Sequence, residues 1–167
     1  MQKQNYIFLD VDGVLNDSQT QETAPSEYRG VENKYIAILK KIVDMLNAKI
    51  ILVSDWKEDW ANNYEDCAED MKYLIDKLDN YDLEIIDVTI DHKGTYYRGQ
   101  GIKDWLENHP EADRYIILDD NGYDYYMHED IRKNVITTLD GLKEVEPYTP
   151  EDTNIEDIVE FINTSKK

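Results

Sequence analysis

Three short runs of consecutive apolar residues punctuate the chain: Tyr6-Ile7-Phe8-Leu9, Ile50-Ile51-Leu52-Val53 and Tyr115-Ile116-Ile117-Leu118. Each stops at polar or acidic positions, in turn Asp10-Val11-Asp12-Gly13, Ser54-Asp55 and Asp119-Asp120. Unbroken rather than alternating hydrophobicity predicts strands covered on both faces, the habit of parallel sheets. Leu83 to Val88 and Asn134 to Thr137 are weaker strand candidates. Between these runs the apolar period becomes helical. Tyr35, Ile38, Leu39, Ile42 and Leu46 recur in steps of three and four, as do Cys67, Met71, Leu74, Ile75 and Leu78. Ile102, Trp105 and Leu106 predict a shorter helix ended by Pro110, and Ile155, Ile158, Val159 and Ile162 a C-terminal one. Alternating strands and helices predict an α/β fold, a three-layer, doubly wound, Rossmann-like and mainly parallel sheet. Asn16 to Gly30, with Pro25 and several Ser, Thr and Gln, reads as a surface loop beside the first acidic strand end. No repeat or linker divides the chain, so residues 1–167 read as a single domain.

Composition narrows what such a domain can bind. With 37 Asp plus Glu against 18 Lys plus Arg, the 167 residues carry a formal charge of −19. That excess disfavours sequence-independent attraction to nucleic acid or to anionic membranes, which need a basic surface. The 41% hydrophobic content nevertheless argues for a packed core rather than an acidic disordered chain. Cys67 is the only cysteine, which rules out an intrachain disulfide. The polar stretch Met1 to Tyr6 leaves no room for a signal-peptide core, and no apolar run approaches the roughly 20 residues of a membrane span. A cytoplasmic protein is expected.

The acids at the strand ends change the picture most. In open parallel sheets, ligands bind outside the carboxyl ends of the strands. Asp10 and Asp12 stand two apart and point to one side, while Gly13 lets the chain turn. Asp119 and Asp120 end another strand, and neighbouring strands lie only about 4.8 Å apart. Four carboxylates gathered there repel one another unless a hard divalent cation such as Mg²⁺ sits among them. An isolated Asp-x-Asp reads as solvated turn acids. Three polar strand ends in this order point instead to a site.

Those residues resemble the haloacid dehalogenase (HAD) superfamily of phosphohydrolases. Phe8-Leu9-Asp10-Val11-Asp12-Gly13-Val14-Leu15-Asn16 is similar to its first motif, Ser54 to its second, and Asp119-Asp120 to its acidic fourth. Ser54-Asp55-Trp56-Lys57, the segment from Arg98 to Leu106, and Gly141-Leu142 resemble more narrowly the small HAD domains of Swiss army knife RNA-repair proteins. The resemblance implies a Mg²⁺-dependent phosphatase in which Asp10 is the nucleophile, forming an aspartyl-phosphate that water hydrolyses. Asp12 would protonate the leaving oxygen, a task suited to a carboxyl crowded by like charges. Asp10, the backbone carbonyl of Asp12, and Asp119 or Asp120 would hold the metal, and Ser54 would bind a phosphoryl oxygen. Arg98 is the first choice for the cation that neutralises the transferred group, followed by Lys103 and Lys93. Asp124 would either support the metal from behind or be a solvated loop acid.

Some positions depart from the branch pattern. Asp55 and Lys57 stand where a second Ser and an Arg are expected, and Gly101 where an acid is usual. The intervals that carry accessory domains in this superfamily are too short for a folded cap. In this superfamily an open site implies either a macromolecular phosphoester or a small substrate covered by a loop or a partner subunit; a phosphorylated small molecule, a nucleotide or a nucleic acid end is the expected substrate. Trp56, Trp60, Tyr96, Tyr97, Tyr123, Tyr125 and Tyr126 are candidates for stacking on an aromatic leaving group, or for packing. His92, His109 and His128 show no ligand spacing. Two other readings remain: a receiver-like signalling module with Asp55 as phosphate acceptor, and a catalytically degenerate HAD fold serving only as a binding protein.

Overall fold

In the computed structural model, which describes residues 1–165, the apolar runs become neighbouring strands. The strands are β1 (Gln4–Leu9), β2 (Ala48–Leu52), β3 (Ile85–Val88), β4 (Ala112–Asp119), β5 (Val135–Thr138) and β6 (Val145–Pro147). They form one sheet in the order β3-β2-β1-β4-β5-β6. All pairings are parallel except that of β6 on β5. The helices are α1 (Asn33–Leu46), α2 (Glu69–Asp79), α3 (Arg98–Glu107), the short α4 (Glu129–Arg132) and α5 (Glu156–Ser165). Residues 166 and 167 of the expected 1–167 domain lie outside the described residues.

The unbroken apolar runs are explained by two separate cores, one on each face of the sheet. Ile7 and Leu9 of β1, with Ile50, Leu52, Ile116 and Leu118, pack against the apolar stripes of α1, α2 and α5. Tyr6 and Phe8, with Ile51, Val53 and Ile117, pack the other way against Ile102 and Trp105 of α3. Alternate side chains of one strand therefore enter opposite cores, and a strand buried on both faces has no polar positions to spare.

β6 and α4 have no counterpart among the predicted elements. β6 is three residues long and ends in Pro147, tolerated because the strand forms the sheet's edge. α4 is four residues long, too short to show a helical period. The loop from Asn16 to Gly30 is irregular as expected, tied by a single bridge between Thr23 and Arg29. The interval from β2 to α3 is taken up by short 3-10 turns, α2 and β3, leaving no separate folded unit among the described residues. No helix among them is long and apolar enough to cross a membrane.

Candidate active site

The register of the two central strands brings the first and last acidic motifs together. Leu9 of β1 is level with Leu118 of β4, and the Asp10 N–H donates to the Leu118 carbonyl (3.0 Å). The next side chains on the two strands, Asp10 and Asp119, are both buried. One carboxylate oxygen from each of Asp10, Asp119 and Asp120 lies within 4.8 Å of the others. Gly13 allows Asp120 its place. At φ +81° it holds a left-handed turn, and a Cβ there would stand 2.2 Å from an Asp120 carboxylate oxygen. The Gly13 carbonyl is pinned in turn by the Thr138 hydroxyl (2.7 Å) and the Gly141 N–H (2.9 Å), so the late Gly141-Leu142 segment holds the first turn in place.

Arg98, the first residue of α3, is the only cation that meets this cluster among the ion pairs of the described residues. Its guanidinium is buried, with Nη1 3.1 Å from Asp10 and 3.0 Å from Asp119, and Nη2 3.7 Å from Asp55. It lies over the Tyr123 ring at 4.2 Å, while Tyr125 donates its hydroxyl to Asp119 (2.7 Å). Burial opposes the arginine's charge, but Asp119 and Asp10 outweigh it and raise its pKa. Burial, and then the like charge of Asp119, push Asp10 well above the usual carboxylate range, with Arg98 pulling the other way. Asp120 is raised too, chiefly by burial. One guanidinium thus faces three crowded carboxylates, an excess of negative charge that invites a further cation.

Asp12 stands apart from the three. Its carboxylate accepts from the Asn16 amide (2.9 Å) and the Trp56 indole N–H (3.2 Å), and Asn16 also accepts from the Gly13 N–H (2.8 Å). The crowding expected around Asp12 falls on Asp10, Asp119 and Asp120 instead. Ser54 lies just beyond β2, the strand beside β1; it is buried, and its Oγ accepts from the Trp56 N–H (3.3 Å). Lys103 is not brought to the cluster. It faces α4 from the side of α3, where its ammonium is 3.4 Å from Asp130. Lys93 lies exposed near the Tyr97 ring. Of the three candidate cations, only Arg98, at the first position of α3, touches the acids.

The family described as the HAD domain in Swiss Army Knife RNA repair proteins matches residues 6–146. The chain belongs to this family. No curated protein matches it. The matched span runs from β1 into β6 and includes every strand-end acid and Arg98. Membership supports a phosphatase-like activity, with which the acidic triad is compatible.

In this HAD domain two of the departures from the branch pattern, Lys57 and Gly101, meet at Asp91. Lys57 is partly buried and bonds to Thr89 (2.9 Å) and Asp91 (2.8 Å). Burial lowers its pKa while Asp91 works against that. Gly101 makes room for this pair: a Cβ there would lie 2.5 Å from an Asp91 oxygen and 2.9 Å from the Ile90 carbonyl. The acidic partner of Lys57 thus comes from the loop after β3 and not from α3.

Asp124, left open between a metal-supporting acid and a solvated one, is not solvated. Fully buried, it caps α3 from a distant loop, accepting from the N–H groups of Gly99 (2.6 Å) and Gln100 (3.0 Å) and pairing with His128 (3.0 Å). It neutralises unpaired donors at the helix start and so fixes Arg98. Gly99 is required here, since a Cβ would approach Asp124 to 2.7 Å. Tyr125 and His128 join the site's scaffold for a reason invisible in spacing: both reach acids across a loop. Tyr96 and Tyr126 bond to each other at the surface (2.7 Å), and Trp60 packs against the core under α1 and α2.

Proposed function

We propose that this HAD domain is a Mg²⁺-dependent phosphatase that hydrolyses a phosphomonoester through an aspartyl-phosphate. The observation that carries the reading is the division of labour between two acids of one motif: Asp10 is paired with Arg98 inside the triad, whereas Asp12 is held outside it by Trp56 and Asn16. Attack and proton transfer need two carboxyls in different surroundings. An oxygen of Asp10 attacks phosphorus as the bond to the leaving oxygen breaks. Asp12 gives that oxygen its proton and then takes one from the water that hydrolyses the aspartyl-phosphate. Arg98 neutralises charge on the phosphoryl oxygens, and the Ser54 hydroxyl donates to one of them. The donor set is all oxygen and close enough for one ion, which suits a hard divalent cation. Bound by Asp10, Asp119 or Asp120 and the Asp12 carbonyl, Mg²⁺ supplies the positive charge that lets a carboxylate approach an anionic substrate.

Of the substrates the family allows, a small phosphorylated molecule is favoured over a nucleic acid end by the charge of −19. Against the receiver-like reading stands Asp55, which lies outside the triad and accepts from the Thr95 hydroxyl (3.0 Å). The test is hydrolysis of a generic aryl phosphate with Mg²⁺. Wild type should turn over and lose activity in chelator, and Asp10→Asn should lower the rate by at least about a thousand-fold. Substantial activity in Asp10→Asn would show that another group attacks phosphorus. Absence of wild-type turnover would leave the degenerate binding protein.

A further inference from the structure

A cleft of about 540 Å³ opens beside the Asp12 carboxylate. Asp12 and Trp56 line it together with Tyr28 and Arg29 of the loop after the first motif and the acids Asp55, Glu58, Asp59 and Asp70. The cleft carries five carboxylates against the single guanidinium of Arg29. Three of the acids are occupied: Asp12 by Asn16 and Trp56, Asp55 by Thr95, and Asp70 by the Ser26 N–H (2.9 Å) and hydroxyl. The side chains of Glu58 and Asp59 are exposed and have no hydrogen-bond or ion-pair partner among the described residues. Tyr28 is 74% exposed, a ring turned to solvent on a cleft wall, and the Trp56 indole is only half buried.

We propose that this cleft receives the leaving group and selects one that carries a positive charge: the substrate is a phosphomonoester of an amino or quaternary-ammonium alcohol. The inference rests on the phosphatase reading, because Asp12 marks the leaving-group side only as the general acid. Two unpaired carboxylates attract an organic cation, and aromatic faces bind one through their ring electrons. An ammonium group also relieves the cluster of acids, which stays net negative with Arg29 in the cleft and Arg98 3.7 Å from Asp55. A polyanionic strand meets the opposite field, since its further phosphates would have to enter a cleft of net negative charge.

The experiment compares phosphocholine with its neutral isostere, the same ester with carbon in place of the quaternary nitrogen, on wild-type protein with Mg²⁺. The kcat/KM ratio is expected to favour phosphocholine by about ten-fold or more, chiefly through KM. The preference should shrink as ionic strength rises. In the double variant Glu58→Gln, Asp59→Asn the ratio should fall to within about two-fold. Equal rates on the two esters, a ratio untouched by the double variant, or an end-phosphorylated oligonucleotide outrunning both would overturn the inference. If any of these three occurs while the aryl phosphate is still hydrolysed and Asp10→Asn is dead, the phosphatase reading stands and only the substrate class falls. If no ester at all is hydrolysed, both fall together.

Discussion

Asp10 and Asp17 flank the Gly13 turn, and both are enclosed, at 4% and 2% exposure, yet the fold treats their charges in opposite ways. Asp17 is surrounded by donors. Its carboxylate accepts from the Tyr35 hydroxyl, the Gln19 N–H (2.8 Å) and the Lys143 ammonium (3.2 Å), with Lys34 at 3.7 Å. The Tyr35 bond, above all, holds it below the usual carboxylate range. Tyr35 is itself pushed up to about 12 by burial and by Asp17. Asp10 instead faces Asp119 and Asp120, and burial with those like charges raises it. Enclosure alone thus does not mark a working acid. What marks it is a set of neighbours that leaves negative charge unmatched, so that a substrate or cation can complete it.

Removing one cation from each region should show the contrast most strongly. Arg98→Ala strands two buried carboxylates and is expected to cost about 3–5 kcal/mol of metal-free stability. Lys143→Ala leaves Asp17 its tyrosine and backbone donors and should cost less than about 1 kcal/mol, because Lys143 is itself part-exposed. Denaturant melts of the two variants measure this; equal losses would mean that Arg98 is not the sole counter-charge of the triad.

Mg²⁺ should then separate the regions by ligand linkage. At about one hundred times its Kd the ion should stabilise wild type and Asp17→Asn by roughly 2.7 kcal/mol, and Asp10→Asn by far less. Melting temperature against Mg²⁺ concentration reads the difference. A full shift in Asp10→Asn would place the cation elsewhere.

The smallest effect is in pH dependence without metal. The raised pKa of Asp10 means that its contribution to stability is complete below the ordinary carboxylate pKa and is lost as pH rises through the folded value. Asp17, lowered, contributes above the ordinary value and loses that contribution as pH falls through the folded one. Subtracting the melting profile of Asp10→Asn from that of wild type should therefore give a difference that declines with rising pH. The same subtraction with Asp17→Asn should give one that grows. Slopes of the same sign would contradict the assigned environments.

Much of this was legible in residue order. The runs at Tyr6, Ile50 and Tyr115 announced strands buried on both faces, and the acids closing them announced the edge where ligands meet the sheet. Arg98 was singled out by its place ahead of an apolar stripe. Asp17 gave no sign, since its donors Tyr35 and Lys143 arrive from α1 and from the β5 to β6 connection. Asp124 was equally opaque, because a loop acid shows its helix-capping role only when the helix start is brought beside it.

The sequence by itself determined the α/β architecture, the acid-rich strand ends and the family, because these depend on hydrophobic period and on motifs local to the chain. Tertiary structure alone decided which cation meets the acids, which enclosed carboxylate is neutralised and which is left crowded, and where Asp12 looks out on a cleft. Those outcomes turn on contacts of a few ångströms between segments far apart in the chain, and electrostatic energies change sign with the identity of the nearest partner.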